Sequence, residues 1–82
     1  MKIAVDISLY PLDADFIPPI KDVIDRLNAY TELEVWTNAM STQVVGEFDA
    51  VMDALKQEIG VTFEQIPKGV FVMKMFNHPG QH

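Results

Sequence analysis

Residues 37 to 47 hold a cluster of small, neutral side chains that can form hydrogen bonds. Five of them carry a hydroxyl or a carboxamide: Thr37, Asn38, Ser41, Thr42 and Gln43. Each of these groups can both donate and accept, so the cluster has the chemistry to recognise the edge of a polar heterocycle without charge. It contains no nucleophile with a neighbouring base, no metal cage and no phosphate cradle. The pattern therefore indicates ligand recognition more than catalysis.

Two carboxylates, Asp6 and Glu47, are the acidic groups nearest to this cluster. Either can meet an amino group or a positively charged ring, because charge-assisted contacts fix a ligand's orientation. Structural roles compete with this interpretation: Glu47 suits a helix N-terminus, and Asp6 is placed to pair with Lys74 across adjacent strands. Trp36, the only tryptophan, is typical of interface packing or of a wall that stacks on a ring or a cation.

The two histidines, His78 and His82, have the spacing of metal ligands on a helix. Pro79 and Gly80 lie between them, so no helix holds that geometry, and residues 78 to 82 are expected to form a flexible tail. Cysteine is absent, which excludes disulfides and thiolate metal sites. With no histidine in the folded body, acid–base catalysis has few candidates. We expect no enzymatic activity, no metal and no cofactor.

Length and composition describe one small globular domain. The chain has 82 residues, of which 49% are hydrophobic and 22% charged, a balance too apolar for disorder. Its net charge of -6 argues against nucleic acid, which is bound largely through Lys and Arg, and is compatible with a cationic small ligand. No apolar stretch approaches the roughly 18 residues that cross a membrane, and no signal-peptide core forms at the N-terminus. The expected location is the cytoplasm.

Hydrophobic spacing predicts the elements that position the polar cluster. Residues 2 to 10 alternate as a half-buried strand ending at Pro11. A helix follows, with Asp15 as its N-cap, Pro18 and Pro19 in its first turn and an apolar stripe to Tyr30. Lys21, Asp22, Asp25 and Arg26 fall on its solvent side.

The second half of the chain continues with strands at 33 to 38 and 42 to 46, joined by a turn at 39 to 41. A second helix is expected from 47 to 59, stopped by Gly60. The pattern of residues 61 to 68 does not distinguish helix, strand and loop. A last strand spans 69 to 77.

The resulting order, β-α-β-β-α-β, predicts an α+β, ferredoxin-like domain over residues 1 to 77. Its four-stranded antiparallel sheet carries both helices on one face. The other face would display several apolar side chains: Ala4, Tyr10, Trp36, Val70, Val72 and Phe76. A soluble protein rarely leaves such a patch bare, so we interpret it as a two-fold interface between subunits.

Three motifs resemble the YkoF-like thiamine-binding family. They are Ser8-Leu9-Tyr10-Pro11-Leu12, Thr37 with Met40-Ser41-Thr42, and Gly46-Glu47 followed by Asp49-Ala50-Val51-Met52. The resemblance runs from Ile3 to Asn77, and its most specific part is Met-Ser-Thr with Gly-Glu close behind. One departure is Asn38-Ala39, where the family has a small or proline-rich lead into Met-Ser-Thr.

The resemblance implies a ferredoxin-like homo-oligomer, a dimer or a tetramer, that binds thiamine or its hydroxymethylpyrimidine moiety without catalysis. An aminopyrimidine offers ring-nitrogen acceptors and an amine donor, which Thr37, Asn38, Ser41 and Thr42 could match. Glu47 or Asp6 would be supplementary, and Met40 and Tyr10 would supply apolar walls. Transport, buffering and sensing all stay open. The alternative is a structural oligomerisation module with no small-molecule ligand, in which the polar cluster only closes a hairpin.

Overall fold

The elements follow each other in the predicted order. The structure, a computed structural model, describes residues 1–12 and 17–77. It contains β1 (Lys2–Pro11), α1 (Ile17–Asn28), β2 (Glu34–Thr37), β3 (Thr42–Glu47), α2 (Phe48–Gln65) and β4 (Gly69–Asn77). The expected cap Asp15, and the tail with His78 and His82, lie outside the described residues.

The strands form one antiparallel sheet in the order β2-β3-β1-β4, which confirms the ferredoxin-like α+β fold. The alternation of β1 buries Ile3, Val5, Ile7 and Leu9 against both helices. The main helical members of this core are Val23 and Leu27 of α1 and Val51, Ala54 and Leu55 of α2. Both helices therefore cover the same face, and we call the opposite one the open face.

The hydrogen-bond pattern between β1 and β4 explains how Pro11 fits in the sheet. The Leu12 N–H donates to the Lys68 carbonyl at 3.0 Å, so these two residues form a hydrogen-bonded antiparallel pair. Such pairs alternate with non-bonded ones, and Pro11 opposite Gly69 falls on a non-bonded position. The missing N–H of the proline consequently costs no bond to β4.

α2 is longer than predicted, because Gly60 does not stop it. The helix continues for another turn and a half to Gln65, and Thr62 in that extension is 1% exposed. Burial of that turn outweighs the modest helix preference lost at a glycine. The helix ends where Pro67 disfavours helical backbone at the preceding residue, and Ile66 is extended, with φ -117° and ψ 141°.

The prediction that Arg26 lies on the solvent side of α1 is wrong. Its side chain is only 25% exposed and reaches α2, where it binds Glu58 and Thr62. The two helices pack against each other on the sheet, so a long side chain at their boundary can cover its stem and keep its guanidinium bonded.

The open face carries exposed apolar side chains, as predicted, with one correction. Ala4 is only 7% exposed, and its cross-strand partner Val45 is 2% exposed. In the same row across the sheet, Glu34 flanks Val45 and Phe76 flanks Ala4, so longer side chains shelter the two small ones. The exposed members of the patch are Tyr10, Trp36, Val70, Val72 and Phe76.

Candidate functional site

The β2–β3 hairpin is closed by Asn38. Its N–H donates to the Ser41 carbonyl at 3.0 Å, and its side-chain Oδ1 accepts from the N–H groups of Met40 and Ser41 at 2.7 and 3.1 Å. This use of an Asn side chain to order a turn is common. Both side-chain bonds use the oxygen, so the amide nitrogen can still donate toward a ligand.

Thr37 and Thr42 face each other as the last pair of the hairpin. Their hydroxyl oxygens are 3.0 Å apart, and either can be the donor. Thr42 is 5% exposed, so the hydroxyl pair is held in a partly buried position. One shared hydrogen satisfies the pair, which leaves a second hydroxyl hydrogen and further lone pairs for a ligand.

Beside this hairpin lies a cavity of about 460 Å³, within the size range of small-molecule sites. The cavity is lined by six of the site residues predicted from the sequence: Tyr10, Thr37, Asn38, Met40, Ser41 and Thr42. The hairpin, the end of β1 and the inner side of α1 form its walls. Tyr10 belongs by alternation to the open face, so the cavity reaches that face at this end of the sheet.

The rest of the wall was not anticipated as part of a site. Its main members are Ser8, the helical side chains Ile20, Val23, Ile24 and Leu27, and Phe71 of β4. Ser8 donates to the Met40 carbonyl at 3.3 Å and so ties β1 to the hairpin tip. The apolar stripe of α1 was visible in the sequence, but only the crossover from β1 to β2 brings it over the hairpin.

Asp6 and Glu47 are not among the residues that line the cavity. Glu47 is at the far end of β3, where it contacts the Met1 amino group at 3.4 Å and precedes α2 without capping it through its side chain. Asp6 is on the open face between Gln43 and Lys74. Its Oδ1 is buried and accepts no hydrogen bond, so Lys74 does not satisfy that oxygen. The described lining carries no charged side chain.

Other kinds of site find little support in the part of the chain that the structure describes. Trp36 is 47% exposed on the open face and is not in the cavity wall. No group of three or more His, Asp and Glu residues there could hold a metal ion. Over residues 1–12 and 17–77, no helix has the length and apolar character needed to cross a membrane.

Gly46 of the Gly-Glu motif has a packing role. A Cβ at this position would lie 2.9 Å from Leu33 Cδ2 and 3.3 Å from Val51 Cγ2, so both side chains would have to shift to admit it. The glycine therefore lets α2 and the segment before β2 approach β3. This motif acts on the scaffold, since the cavity lies at the opposite end of β3.

The fold and the cavity define a ferredoxin-like domain with a pocket at one end of its sheet, and the described residues that line this pocket carry no charged side chain. The sequence matches the family described as "Thiamine-binding protein" over residues 5–82. The chain belongs to this family. No curated protein matches it.

Solved structures share the fold along nearly the whole chain. A hypothetical protein from Methanocaldococcus jannascii is 25% identical, with a TM-score of 0.81, 99% of this chain covered and 84% of the other. A Streptococcus pneumoniae protein is also 25% identical, with a TM-score of 0.76 and coverages of 98% and 90%. A Thermotoga maritima protein, provisionally assigned to thiamine biosynthesis or salvage, is 21% identical, with a TM-score of 0.86 and coverages of 98% and 87%.

Proposed function

We propose that this protein binds thiamine, or its hydroxymethylpyrimidine moiety, in the cavity beside the β2–β3 hairpin and does not transform it. The observation that carries the proposal is the composition of the cavity wall. Neutral hydroxyl and amide groups of the hairpin form one side, apolar side chains of α1 form the other, and the cavity between them has a volume of about 460 Å³. Membership of the thiamine-binding family supplies the ligand class.

An aminopyrimidine suits this wall on both its edge and its faces. The ring nitrogens accept and the exocyclic amine donates. The hydroxyls of Ser41 and Thr42 can match either group, and the Asn38 amide nitrogen can donate to a ring nitrogen. The flat faces of the ring would lie against apolar side chains such as Ile20 and Ile24 of α1. Pockets of this kind gain affinity from apolar contact and orientation from a few polar groups.

The absence of charge from the described lining favours placing the pyrimidine half inside. A buried cation without a partner is costly, so the thiazolium ring of thiamine would lie at the mouth, near Met40, which is 83% exposed. The net charge of -6 would still attract the cation from solution. Hydroxymethylpyrimidine, which lacks the thiazolium, is expected to bind with a similar enthalpy.

The proposed assembly is a homo-oligomer in which the open face is covered by a second copy. Tyr10, Trp36 and Phe76 are 54%, 47% and 57% exposed there, more apolar ring surface than a monomer of this size usually leaves in water.

Calorimetric titration with thiamine and with hydroxymethylpyrimidine tests the ligand. Ser41→Ala and Thr42→Val should each weaken binding by about 1–2 kcal/mol, the loss of one buried hydrogen bond. Thr31→Ala is the control, since Thr31 is exposed in the turn after α1 and should leave affinity unchanged. If millimolar ligand produces neither a heat of binding nor a shift of the thermal midpoint, the proposal is wrong. Binding that ignores both site variants would move the ligand elsewhere.

The alternative, a structural oligomerisation module, is favoured by one observation. Asn38 Oδ1 is already occupied by the two N–H groups of its own turn, as expected if the cluster serves only to close the hairpin. A protein that oligomerises but binds neither ligand would support this alternative. Binding by itself would not distinguish a carrier from a buffer or a sensor.

A further inference from the structure

The end of α2 contacts two walls of the cavity without being part of either. Among the described residues that line the cavity, none lies between 48 and 65. The last turn and a half of the helix nevertheless bonds to α1 through Thr62 and contacts Phe71 of β4 through Phe63. Four side chains of α1 and the Phe71 ring belong to the cavity wall. The extension of α2 beyond Gly60 therefore supports both walls from outside.

The α1 wall lacks full support from the sheet. Ile20 and Ile24 line the cavity and are half-buried, so part of the space beneath these two side chains is cavity. A side chain that borders a void loses the contacts that it would otherwise make on that side. The position of this stretch of α1 consequently depends on its lateral contact with α2.

That lateral contact is polar and directional. Arg26 Nη2 donates to Thr62 Oγ1 at 2.7 Å, and the Thr62 hydroxyl donates to the Glu58 carbonyl at 2.9 Å. The hydroxyl thus accepts one bond and donates another, which fixes its direction. Apolar packing has no preferred direction, whereas a hydrogen bond from a charged donor has a defined length and angle. Thr62, which is 1% exposed, therefore sets how far Arg26 and its helix lie from α2.

An aromatic contact restricts the second wall. The ring centroids of Phe63 and Phe71 are 5.5 Å apart, with an angle of 62° between the ring planes. This edge-to-face geometry is favourable and depends on orientation. Phe63 is 50% exposed, so the core does not depend on burying the whole of this ring. Phe63 stays outside the cavity and holds the Phe71 ring that lines it.

We propose that Thr62 and Phe63 are positioning residues for the ligand cavity. Successive residues of an α-helix point about 100° apart, so Thr62 reaches α1 while Phe63 reaches β4. Together they set the separation of the α1 wall from the Phe71 ring, and with it the fit of a flat ligand ring between them. Affinity then depends on two side chains that do not touch the ligand. This effect on affinity rests on the proposed function, whereas the control of the wall position does not.

Thr62→Val and Thr62→Ser separate positioning from stability. Valine keeps the shape of the side chain and removes the hydroxyl, so the affinity for hydroxymethylpyrimidine should fall about threefold to tenfold, as for residues that act on a site through others. Serine keeps the hydroxyl and removes a buried methyl group, so the urea midpoint should fall while the affinity stays at the wild-type value. Calorimetric titration, at a temperature where every variant is folded, measures the affinities.

Ile3→Val is the control for a loss of stability alone. Ile3 is buried near the start of β1 and is not among the residues that line the cavity, so this variant should lower the urea midpoint without changing the affinity. If affinity follows the urea midpoint across Ile3→Val and the two Thr62 variants, Thr62 acts on stability alone and the proposal is wrong.

Phe63→Leu tests the second wall. It removes the ring that contacts Phe71 and should weaken binding about threefold, whereas Phe63→Tyr keeps the ring and should bind as the wild type does. Glu64→Gln is the matched control, since Glu64 is the exposed next residue and is absent from the described cavity lining. Equal affinity of all three variants would overturn the assignment of Phe63.

The methyl resonances of Ile20 and Ile24 report the position of the α1 wall without any ligand. In the ligand-free protein, Thr62→Val should shift both resonances more than Thr62→Ser or Ile3→Val does. Resonances that respond equally to all three variants, or to none, would overturn the positioning role. A wild type that binds neither thiamine nor hydroxymethylpyrimidine would make the proposed function wrong, and the same resonances would then decide whether α2 positions the wall.

Discussion

Arg26 of α1 and Glu58 of α2 form an ion pair across the helix boundary, with Arg26 Nε donating to Glu58 Oε1 at 2.5 Å. Tyr30 donates its hydroxyl to the other carboxylate oxygen at 2.6 Å, and Arg26 also donates to Thr62 Oγ1 at 2.7 Å. Glu58 is only 6% exposed. Both of its oxygens are therefore satisfied inside the protein, which is the condition under which a buried carboxylate is tolerated.

Removing the arginine should destabilise the fold. Arg26→Met leaves the Glu58 charge buried with Tyr30 as its remaining partner, and we expect a loss of about 2–3 kcal/mol, below the value for fully buried pairs because Arg26 is partly exposed. Adding Glu58→Leu to that variant should recover most of the loss. Lys21→Met, in an exposed pair with Asp25, is the control and should leave the urea midpoint unchanged. Equal effects of the two single variants would contradict the buried role of the pair.

Stability should fall at alkaline pH because of Tyr30. Its hydrogen bond to the Glu58 carboxylate, together with burial, raises the pKa of Tyr30 from 10.0 to about 12. The folded state thus holds this proton more tightly than the unfolded one. The stabilisation is complete below pH 10 and is lost as pH rises toward 12. Urea unfolding across this window should show the decline in wild type and a smaller one in Tyr30→Phe; parallel curves would exclude Tyr30 as its source.

Two glycine-to-alanine changes should shift stability in opposite directions. Gly46→Ala places a methyl group 2.9 Å from Leu33 Cδ2 and should cost about 1–3 kcal/mol through overpacking. Gly60→Ala adds a methyl group in open space within α2 and should gain about 0.5–1 kcal/mol of helix preference. Chemical denaturation measures both. Loss of stability in Gly60→Ala would mean that Gly60 has a backbone role that the helix does not explain.

Asn38→Asp should separate the structural role of this residue from its role in binding. Aspartate keeps the oxygen that accepts from Met40 and Ser41, so the hairpin and the thermal midpoint should change little. It loses the amide donor, and the affinity for hydroxymethylpyrimidine should fall by about 1–2 kcal/mol. Unchanged affinity would assign Asn38 to the turn alone.

The strands and their order were accessible from the sequence because each has period-two alternation bounded by a turn or a proline. Residues 37 to 42 could likewise be placed on one hairpin, since a hairpin is local in sequence. The predicted end of α2 at residue 59 was wrong, because a glycine is only a weak signal for the end of a helix. The burial of Thr62 outweighs it, and burial depends on the packing of two distant helices.

Long-range contacts account for what the sequence did not reveal. Arg26 and Glu58 are 32 positions apart, and each alone is typical of a solvated helix face. The α1 wall of the cavity had an ordinary core pattern, so nothing in its spacing distinguished Ile20 or Ile24 as neighbours of the hairpin. Asp6 and Glu47 are near the cluster in strand order, but the pleat and the strand length direct them elsewhere.

The hydroxyl pair of Thr37 and Thr42 has a consequence for how a ligand can be oriented. Either oxygen can be the donor in the 3.0 Å bond, and exchanging those roles requires only rotation of two O–H bonds. The same spot can thus offer a hydrogen to a ring nitrogen or a lone pair to an amine while every heavy atom stays in place. In the proposed complex, a flipped ring or an alternative tautomer would meet an equally good surface, so we expect selectivity among pyrimidines to arise from shape and from Asn38.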